Sequence, residues 1–416
     1  MKKILTFFSI IIILSSQVIG QIGWYEVNSG VTSQMHSTYF TNYNNGYAVG
    51  RNGTILKTTD GGSIWNTQTS PTSTHLLSVY FTNANTGYTV SGNSILKSSN
   101  AGVTWALQNT TQAGFAVYFP SPLVGYVVGD FGSVVKTITA SVTWVDLTST
   151  TGTTEDLYGV YFIDDNVGYA VGKNGAIIKT TNGGQTWSTL TSGTTYNLMD
   201  VQFTNSNTGY AIGADVTSGV ILKTTNAGVT WNTIDSIGYQ IEGLHFPTAD
   251  TGYVVGFDPN TNKGLILKTT DAGNTWVKQF SPTNQTLNEV FFVDGYYGFA
   301  VGVHGTIIKT TNGGVGGGSG INEVNNTTSN FRNYPNPFNE NTTFEFVLPE
   351  KTEISIKIID LTGREIAIVI KETKQAGKHR IRWNKTNANG IKLNNGVYYA
   401  ILQYEDKIIS RPLLAL

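Results

Sequence analysis

The stretch that decides the fold is "GYAVGRNGTILKTTDGGSIW", residues 46–65, because variants of it recur along the chain. The copies begin at seven glycines: Gly46, Gly87, Gly125, Gly168, Gly209, Gly252 and Gly298. Their spacing of roughly forty residues is typical of the blades of a β-propeller. The sequence therefore predicts seven structural repeats.

The seventh copy lacks the tryptophan that ends the others, since it runs from "GFAVG" to "KTTNGG" and stops there. A single tryptophan, Trp24, stands before the first full copy. A repeat split between the two ends of the array would close it into a ring and remove both exposed sheet edges. We therefore predict an all-β, seven-bladed β-propeller closed by an N-terminal strand at Trp24.

Each copy contains four short strands separated by turn signals. An aromatic run such as "SVYF" is followed by "GYAVG", an "NG" turn, "ILKTT", a "DGG" or "NAG" turn, and a strand opened by tryptophan. Glycine in the "NG" turn supplies a positive φ, and the β-branched and aromatic residues suit pleated surfaces. No helical periodicity competes with this pattern.

Composition agrees with a turn-rich β protein that is exported. The chain has 47 glycines among 416 residues and only 13% charged residues. The absence of cysteine from the sequence excludes disulfides, thiolate zinc sites, cysteine nucleophiles and a lipoprotein anchor. Residues 1–20 have two lysines followed by an apolar stretch too short to favour spanning a membrane, which predicts a signal peptide cut after Gly20. The sequence offers no other transmembrane segment.

Charge and composition divide the chain into two domains. Residues 21–320 carry eleven basic and seventeen acidic residues, a net charge of −6, whereas 321–416 carry thirteen basic and ten acidic residues, a net charge of +3. Neither part has the concentrated basic face of a nucleic-acid binder. We predict a propeller at 21–314, a flexible Gly/Asn-rich linker at 315–331 and a C-terminal domain at 332–416.

The "TTDGGSIW" element, residues 58–65, resembles the Asp-box, or neuraminidase repeat, whose role is structural. A carboxylate or amide in a tight turn bonds to its own backbone, and a tryptophan fills the space between strands. The third copy has Thr139 at the acidic position, which fits a turn better than a reaction centre. The predicted Asp-box positions are Asp60, Trp65, Asn100, Trp105, Asn182, Trp187, Asn226, Trp231, Asp271, Trp276, Asn312 and Trp24.

The whole repeat, over nearly all of residues 22–314, resembles the photosystem II assembly and stability factor family of seven-bladed propellers. Residues 332–416 are similar to the type A C-terminal sorting domain of type IX secretion, through "NYPNPFN", "ISIKIIDLTGREI", "AGKHRIRWN" and "NGVYYAIL". The alternating runs of this segment predict a small immunoglobulin-like β-sandwich. The resemblance implies recognition by the secretion machinery and cleavage between Gly320 and Phe331. The motif residues are Tyr334, Pro335, Asn336, Pro337, Phe338, Gly363, Gly396 and Tyr398.

Catalytic chemistry has little support in the sequence. A sialidase needs three arginines, but Arg51 is the only arginine in residues 21–320. Other glycosidases need two carboxylates facing one cleft. Glu155 with Asp156, Asp215 or Asp258 is the only plausible set, and solvated loop charges are the favoured interpretation. The spacing of histidines and carboxylates fits no metal-binding motif, and no cofactor is indicated.

Propeller topology places the turns between second and third strands on the same face as the connections between blades. The candidate ligand face carries Arg51, Asp130, Glu155, Asp156, Lys173, Asp215, Asp258 and His304. Lys263, His75, Glu242 and Glu289 are expected beside them on the same turns and connections. One lysine per blade, from Lys57 to Lys309, could form a cationic ring, although stems packed along the strands with locally paired charges are the favoured arrangement.

We therefore expect a secreted or cell-surface, non-enzymatic propeller that binds a protein or a carbohydrate. Its route is predicted to pass through the periplasm and then the type IX secretion machinery. The alternatives are a propeller glycoside hydrolase that acts on polysaccharides and an assembly factor for another exported protein.

Overall fold

The computed structural model describes two parts of the chain. The described residues are 23–108, 114–215, 218–314 and 331–415, the last range with gaps at 337, 349, 360–364, 388–389 and 405–406. The chain folds into two compact units, with the division after Gly318. The signal peptide and nearly all of the linker lie outside the described residues, so these and the proposed domain boundaries stay predictions.

The first unit contains seven four-stranded antiparallel sheets, the blades. Chain order begins with β1 (Tyr25–Val27). Blades 1 to 3 comprise β2 (Met35–Phe40), β3 (Gly46–Gly50), β4 (Ile55–Thr58), β5 (Asn66–Gln68); β6 (Ser78–Phe81), β7 (Gly87–Ser91), β8 (Ser94–Ser98), β9 (Ala106–Leu107); and β10 (Ala116–Tyr118), β11 (Gly125–Val128), β12 (Val134–Thr137), β13 (Val145–Asp146).

Blades 4 to 6 repeat this order. They comprise β14 (Leu157–Phe162), β15 (Gly168–Gly172), β16 (Ile177–Thr180), β17 (Ser188–Leu190); β18 (Asn197–Phe203), β19 (Gly209–Ala214), β20 (Gly219–Thr224), β21 (Asn232–Ile237); and β22 (Gln240–His245), β23 (Gly252–Asp258), β24 (Lys263–Thr269), β25 (Val277–Lys278). Among the described residues of the first unit, five short 3-10 helices lie at Arg51–Gly53, Asp130–Gly132, Thr148–Thr150, Lys173–Gly175 and Val303–Gly305.

Blade 7 is completed by the N-terminal strand. It contains β26 (Leu287–Phe292), β27 (Gly298–Gly302), β28 (Ile307–Thr310) and, as its outer strand, β1. Tyr25 pairs with Lys309 and Val27 with Ile307 in antiparallel register. The predicted closure is confirmed, because the first and last strands of the array share one sheet.

Adjacent blades are joined by a repeated aromatic stack. The tyrosine or phenylalanine of each "GY" or "GF" pair lies flat against a phenylalanine at the end of the first strand of the next blade or directly after it. Centroid distances are 3.7–4.2 Å for Tyr47–Phe81, Tyr88–Phe119, Tyr126–Phe162, Tyr169–Phe203, Tyr210–Phe246, Tyr253–Phe292 and Phe299–Phe40. The glycine of the pair is required, since a Cβ on Gly46 would lie 2.2 Å from the Phe40 ring.

A tryptophan meets each of these phenylalanines edge-on. Trp65 approaches Phe40 at 5.8 Å, and Trp24 approaches Phe292 at 5.7 Å in the seventh blade. Trp24 is completely buried. It thus takes in blade 7 the position that the other six blades fill from their own fourth segment, which is the physical reason for the split repeat.

In six of the seven blades the lysine of the "ILKTT" or equivalent segment ties one blade to the next, and Lys57 of blade 1 lies over the Tyr47 ring. The ammonium group of Lys136 lies 5.2 Å from the Tyr126 ring centroid and donates to the Gly183 carbonyl at 2.7 Å. The same donation to the neighbouring turn is made by Lys97, Lys179, Lys223, Lys268 and Lys309. These charges pair locally with carbonyls and aromatic faces, so a ring free to recruit an anionic polymer is not what the structure shows.

The turns that resemble Asp-boxes are held by hydrogen bonds to their own backbone. The Asp271 carboxylate accepts from the Thr275 amide at 2.9 Å and from the hydroxyls of Thr275 and Thr269 at 2.7 and 2.8 Å. Hydrogen bonding, chiefly from the Thr275 hydroxyl, lowers the pKa of Asp271 to about 2. Asn182 accepts from the Thr186 amide in the same way.

Replacement of Asp271 by alanine is expected to lower the free energy of unfolding by about 1–2 kcal/mol, because the turn amide and two hydroxyls lose their acceptor. Asp271→Asn should cost less than about 0.5 kcal/mol, because in blades 2, 4 and 5 an asparagine oxygen accepts the turn amide while its side-chain amide donates to the threonine hydroxyl. Urea unfolding of both variants checks this, and equal losses would contradict it.

The second unit consists of two antiparallel sheets around one core. A three-stranded sheet contains β29 (Arg332–Tyr334), β30 (Thr342–Leu348) and β33 (Gly377–Trp383), and a four-stranded sheet contains β31 (Thr352–Ile359), β32 (Glu365–Lys374), β34 (Gly396–Tyr404) and β35 (Lys407–Ala415). Their inward side chains form one hydrophobic cluster that includes Phe344, Ile356 and Trp383. Trp383 is therefore a core residue.

The predicted motif residues take several structural roles in this second unit. Phe338 is buried against Trp383, whereas Tyr334 is 40% exposed. The Pro335 carbonyl accepts from the Thr342 hydroxyl, Gly396 begins β34, and the Tyr398 hydroxyl donates to the Asn394 carbonyl. Asn336 lies in the turn after β29, while Pro337 and Gly363 lie outside the described residues.

Candidate ligand-binding face

The face of interest is built by short turns between the second and third strands of a blade. We call this end of the propeller the turn face. In blades 1, 4 and 7 the turn is fastened to the segment that enters the same blade: the Arg51 amide donates to the Gln34 carbonyl and the Lys173 amide to the Asp156 carbonyl, both at 2.8 Å, and the Val303 amide to the Thr286 carbonyl at 3.0 Å. The Asp-box-like turns bond instead to the turns between first and second strands, as Gly61 does to Asn44.

Five of the turns place one non-glycine residue in the left-handed region. These residues are Asn52, Phe131, Asn174, Asn262 and His304, with φ between 52° and 57°. In three of them a side chain from the following blade's entry segment accepts the backbone N–H. The acceptors are His75 Nδ1 for Asn52, Asp156 Oδ1 for Phe131 and Asn197 Oδ1 for Asn174.

Phe131 is the unusual member of this group. Asparagine tolerates the left-handed conformation, whereas a bulky aromatic residue rarely adopts it. The side chain is 76% exposed, so burial does not compensate for the strain. Sequence reasoning overlooked it, although the signal was present: phenylalanine stands where blades 1 and 4 have asparagine.

Charged residues surround Phe131. Asp156 accepts the Phe131 amide at 3.0 Å and lies 3.9 Å from the Lys173 ammonium. Burial, followed by the charges of Asp156, Asp130 and Glu155, raises the pKa of Tyr158, which places three carboxylates around that phenol. The Tyr158 ring packs 5.7 Å from Phe115. We define the Phe131 patch as Phe131, Tyr158, Asp130, Glu155, Asp156 and Lys173.

A groove continues from this patch along blades 4 and 5. It has a volume of about 750 Å³, and its lining includes hydroxyl and amide side chains, with Thr153, Asn174 and Ser192 among them, beside Glu155 and Tyr196. Glu155 accepts a hydrogen bond from the Asn174 side chain at 3.0 Å at the end next to the patch. The patch and the groove therefore share one residue, Glu155.

The remaining candidate residues belong to other blades. Arg51 is exposed on blade 1, and His304 on blade 7 contacts Gln285 at 2.7 Å. Asp215 accepts the Ser218 amide at 2.7 Å within the blade 5 hairpin, and Lys263 is exposed at the start of β24. The structure thus brings together Asp130, Glu155, Asp156 and Lys173, and leaves the other candidates distributed around the face.

Asp258 is not presented on the face as expected, because its side chain is only 1% exposed. It accepts from the Asn260 amide and the Thr261 hydroxyl and forms an ion pair with Lys278. Burial opposes ionisation, but the hydrogen bond from Lys278 and the weaker partners outweigh it and lower the pKa of Asp258. The longer hairpin folds its carboxylate inward, so Asp258 holds the hairpin together and is not available to a ligand.

Glu242 and Glu289 also differ from expectation, since they lie within strands β22 and β26 and not on the connecting loops. The first strands of the blades contact one another around the centre of the propeller. Their inward side chains include an aromatic series in which neighbouring rings, such as Tyr39–Tyr80, Tyr118–Tyr161 and Phe291–Tyr39, lie 4.9–5.0 Å apart. We call this lining the central channel.

Three carboxylates occupy blades 5 to 7 of the central channel. Burial raises the pKa of Glu242 to about 7. Burial also raises the pKa of Asp200, and burial together with the Asp200 charge raises that of Glu289. His245 beside them accepts the Phe292 amide, and burial lowers its pKa to about 4, so it supplies no positive charge at neutral pH.

Two further properties concern the part of the chain that the structure describes. Within it, histidines and carboxylates form no group of three or more that could hold a metal ion. None of its helices has the length and apolar character needed to cross a membrane.

Comparison with known families explains the repeat. The model of the photosynthesis system II assembly factor YCF48 family matches residues 17–112 and 136–279. This chain belongs to that family. The match covers more than half of the chain, and the secretion system C-terminal sorting domain matches residues 332–414 of the same YCF48-family chain. The sorting domain indicates secretion to the cell surface or the extracellular space.

Solved structures agree with the fold. A YCF48 bound to a D1 peptide is 18% identical, with a TM-score of 0.58 over 70% of this chain and 97% of that one. YCF48 from Cyanidioschyzon merolae is 17% identical, with a TM-score of 0.56 over 69% and 98%. A GH74 enzyme from Niastella koreensis is 13% identical, with a TM-score of 0.59 over 93% and 74%. No curated protein matches the chain.

Proposed function

We propose that this YCF48-family propeller is a non-enzymatic recognition module that binds an extended segment of a protein partner outside the cell. The observation that carries the proposal is Phe131, which is left-handed, 76% exposed and surrounded by charged groups. A bulky residue held there costs roughly 1–2 kcal/mol of stability. Exposed aromatic residues with polar surroundings are common binding anchors.

The surroundings of Phe131 indicate the chemistry of the partner. The Phe131 patch carries Asp130, Glu155 and Asp156 against one cation, Lys173. A complementary segment would place an apolar side chain against Phe131 and Tyr158 and a basic side chain against the carboxylates. The adjoining groove offers hydroxyl and amide groups that can bond to a peptide backbone. Peptide binding by a family member, the YCF48 structure with a D1 peptide, supports this assignment.

The carboxylates of the patch are a poor acid/base pair. Asp156 is engaged by a backbone amide and lies near Lys173, and Glu155 accepts from Asn174. Asp258, the other carboxylate considered for hydrolysis, is buried with a lowered pKa, whereas a general acid needs a raised one. The likeness to GH74 enzymes is one of fold, and recognition is the function that the described geometry supports best.

Phe131→Asn is expected to weaken partner binding by about 30-fold, the loss typical of an aromatic anchor, while raising the free energy of unfolding by about 0.5–1 kcal/mol. Asparagine fits the left-handed turn, as Asn52 and Asn174 show. Peptides selected from a displayed library on the mature chain serve as the ligands, and their affinities are measured for both proteins. Because stability and binding move in opposite directions, unfolding cannot explain the loss.

Phe280→Asn is the matched control, since Phe280 is 62% exposed outside the patch. Equal peptide affinity for wild type and Phe131→Asn would overturn the assignment of the patch. Release of reducing sugar from polysaccharides that disappears in Glu155→Gln would overturn the non-enzymatic proposal.

A further inference from the structure

The three-stranded sheet of the sorting domain has an outer face with an excess of positive charge. Phe344, Phe346 and Trp383 of this sheet point into the core, so their neighbours along each strand point outward. The outward residues are Arg332 and Tyr334 on β29, Thr343, Glu345 and Val347 on β30, and Lys378, Arg380 and Arg382 on β33. We call them the basic face; it holds four cations and one carboxylate.

Glu345 organises this face. In the strand register it lies directly between Arg332 and Arg380. Its carboxylate accepts from the Arg332 and Arg380 Nε groups at 2.9 and 2.7 Å and lies 3.0 Å from the Lys378 ammonium. These hydrogen bonds, led by that from Arg380, lower the pKa of Glu345 to about 2, so it stays ionised at neutral pH.

The cations remain available although they share one carboxylate. The side chains of Arg332, Arg380 and Lys378 are 63%, 62% and 53% exposed, whereas that of Glu345 is 4% exposed. One carboxylate cannot neutralise three cations, and each guanidinium has more donors than these bonds use. Glu345 thus fixes the positions of groups whose remaining donors face solvent.

The opposite sheet has no such excess among its described ion pairs. Lys357 pairs with Glu365 at 3.0 Å, and Lys374 with Glu372 at 2.6 Å, one carboxylate for each cation. The excess of positive charge is therefore a local property of the basic face, and the net charge of the C-terminal domain alone does not account for it.

Two apolar contributions on the basic face indicate the kind of partner. Tyr334 is 40% and Val347 38% exposed, and the Arg332 guanidinium lies 5.9 Å from the Tyr334 ring centroid. Amphipathic rings and basic side chains on one flat surface suit the headgroup region of a membrane. A single small anion fits less well, because Glu345 already occupies the centre of the cluster.

We propose that the basic face is a docking surface for anionic lipid headgroups. Phosphate groups spread over a membrane surface can meet the outward donors of several cations at once, without displacing Glu345. Each Lys or Arg near such a surface contributes a similar increment of affinity, and the attraction is screened by salt. The sorting domain would thereby be held at a membrane surface through one defined sheet.

The test is cosedimentation of the full mature chain with phosphatidylglycerol vesicles, compared with phosphatidylcholine vesicles. The expected result is salt-sensitive binding to the anionic vesicles. Combined replacement of Arg332, Lys378 and Arg382 by glutamine should lower the partition coefficient about 100-fold. Arg380 is left in place to neutralise Glu345.

The matched control combines Lys357→Gln, Lys371→Gln and Lys374→Gln, which removes the same charge from the other sheet. Its partition coefficient should fall less than about 10-fold. If the triple variant does not fold, Arg382→Glu alone replaces it in the test. This single change is expected to lower the partition coefficient about 30-fold. Absence of vesicle binding, or equal losses in both triple variants, would overturn the proposal. Binding to immobilised polyglutamate but not to vesicles would also overturn it and would favour an acidic protein partner.

Discussion

Replacement of Trp24 by alanine is expected to lower the free energy of unfolding by about 3–5 kcal/mol, the usual cost of removing a large buried aromatic side chain. Trp24 is fully buried between Tyr253, at 6.3 Å, and Phe292, at 5.7 Å. Three residue pairs hold the closing strand β1 to β28, so this packing is a large part of what closes the ring. Urea unfolding of the full mature chain measures the loss.

Trp187→Ala is the control, because Trp187 meets Phe162 in the same geometry inside blade 4, where all four strands are consecutive. We expect a similar loss of stability in both variants but aggregation only in Trp24→Ala. Detachment of β1 would expose the edge of β28, and open edges pair with other chains. Equal light scattering from the two variants at equal fractions unfolded would contradict a special role of Trp24 in closure.

Glu289→Gln is expected to stabilise the protein by about 1–3 kcal/mol at pH 8 and to leave its stability nearly unchanged at pH 4. Burial and the Asp200 charge raise the pKa of Glu289 in the folded state. The Glu289 carboxylate accepts the Val290 amide at 3.0 Å, a bond that the glutamine oxygen can also accept. The substitution therefore removes a charge without leaving a backbone donor unsatisfied.

The direction of this pH dependence follows from proton binding. The unfolded chain loses the proton of Glu289 near pH 4, whereas the folded chain keeps it to higher pH. The folded state thus binds more protons over this interval, and its stability falls as the pH rises. The carboxylates of Asp200 and Glu289 stay partly exposed to the central channel, which limits the change in stability with pH. Thermal melts of wild type, Glu289→Gln and the exposed control Glu353→Gln from pH 4 to 8 test this prediction.

A wild-type stability that rises between pH 4 and 8 relative to Glu289→Gln would contradict the raised pKa of Glu289.

Asp200 and Glu289 lie close together for a structural reason. Gly243 of β22 lies between the two carboxylate-bearing strands, and a Cβ there would lie 3.1 Å from a Glu289 carboxylate oxygen. The facing groups from neighbouring strands are Glu242 and a neutral His245, so no cation among these channel residues relieves the repulsion.

The architecture was accessible from sequence because its signals are local and repeated. Each copy carries the glycine, the aromatic pair and the tryptophan that the inter-blade contacts use, so recognising one unit predicts the others. The displaced Trp24 even identified the closing strand. The stacking of Tyr47 on Phe81 of the next blade was not readable, since it joins residues of different repeats.

The candidate site was only partly accessible. Topology alone placed Asp130, Glu155, Asp156 and Lys173 on one face with candidates from other blades, and only the structure brings these four around Phe131. Phe131 itself was overlooked because its importance depends on a left-handed backbone and on exposure. Asp258 was expected at the surface, but Lys278 of a following strand covers it.

The sequence by itself determined that seven repeats form a closed, all-β ring followed by a sorting domain, because each copy carries the glycine and aromatic residues that pack against the neighbouring blade. Only the tertiary structure decided which side chains meet: the Phe131 patch, the channel pair of Asp200 and Glu289, and the basic face around Glu345. These groupings join residues from different strands and blades. Their properties arise from distances, burial and shared partners, which exist only after the strands have been arranged in space.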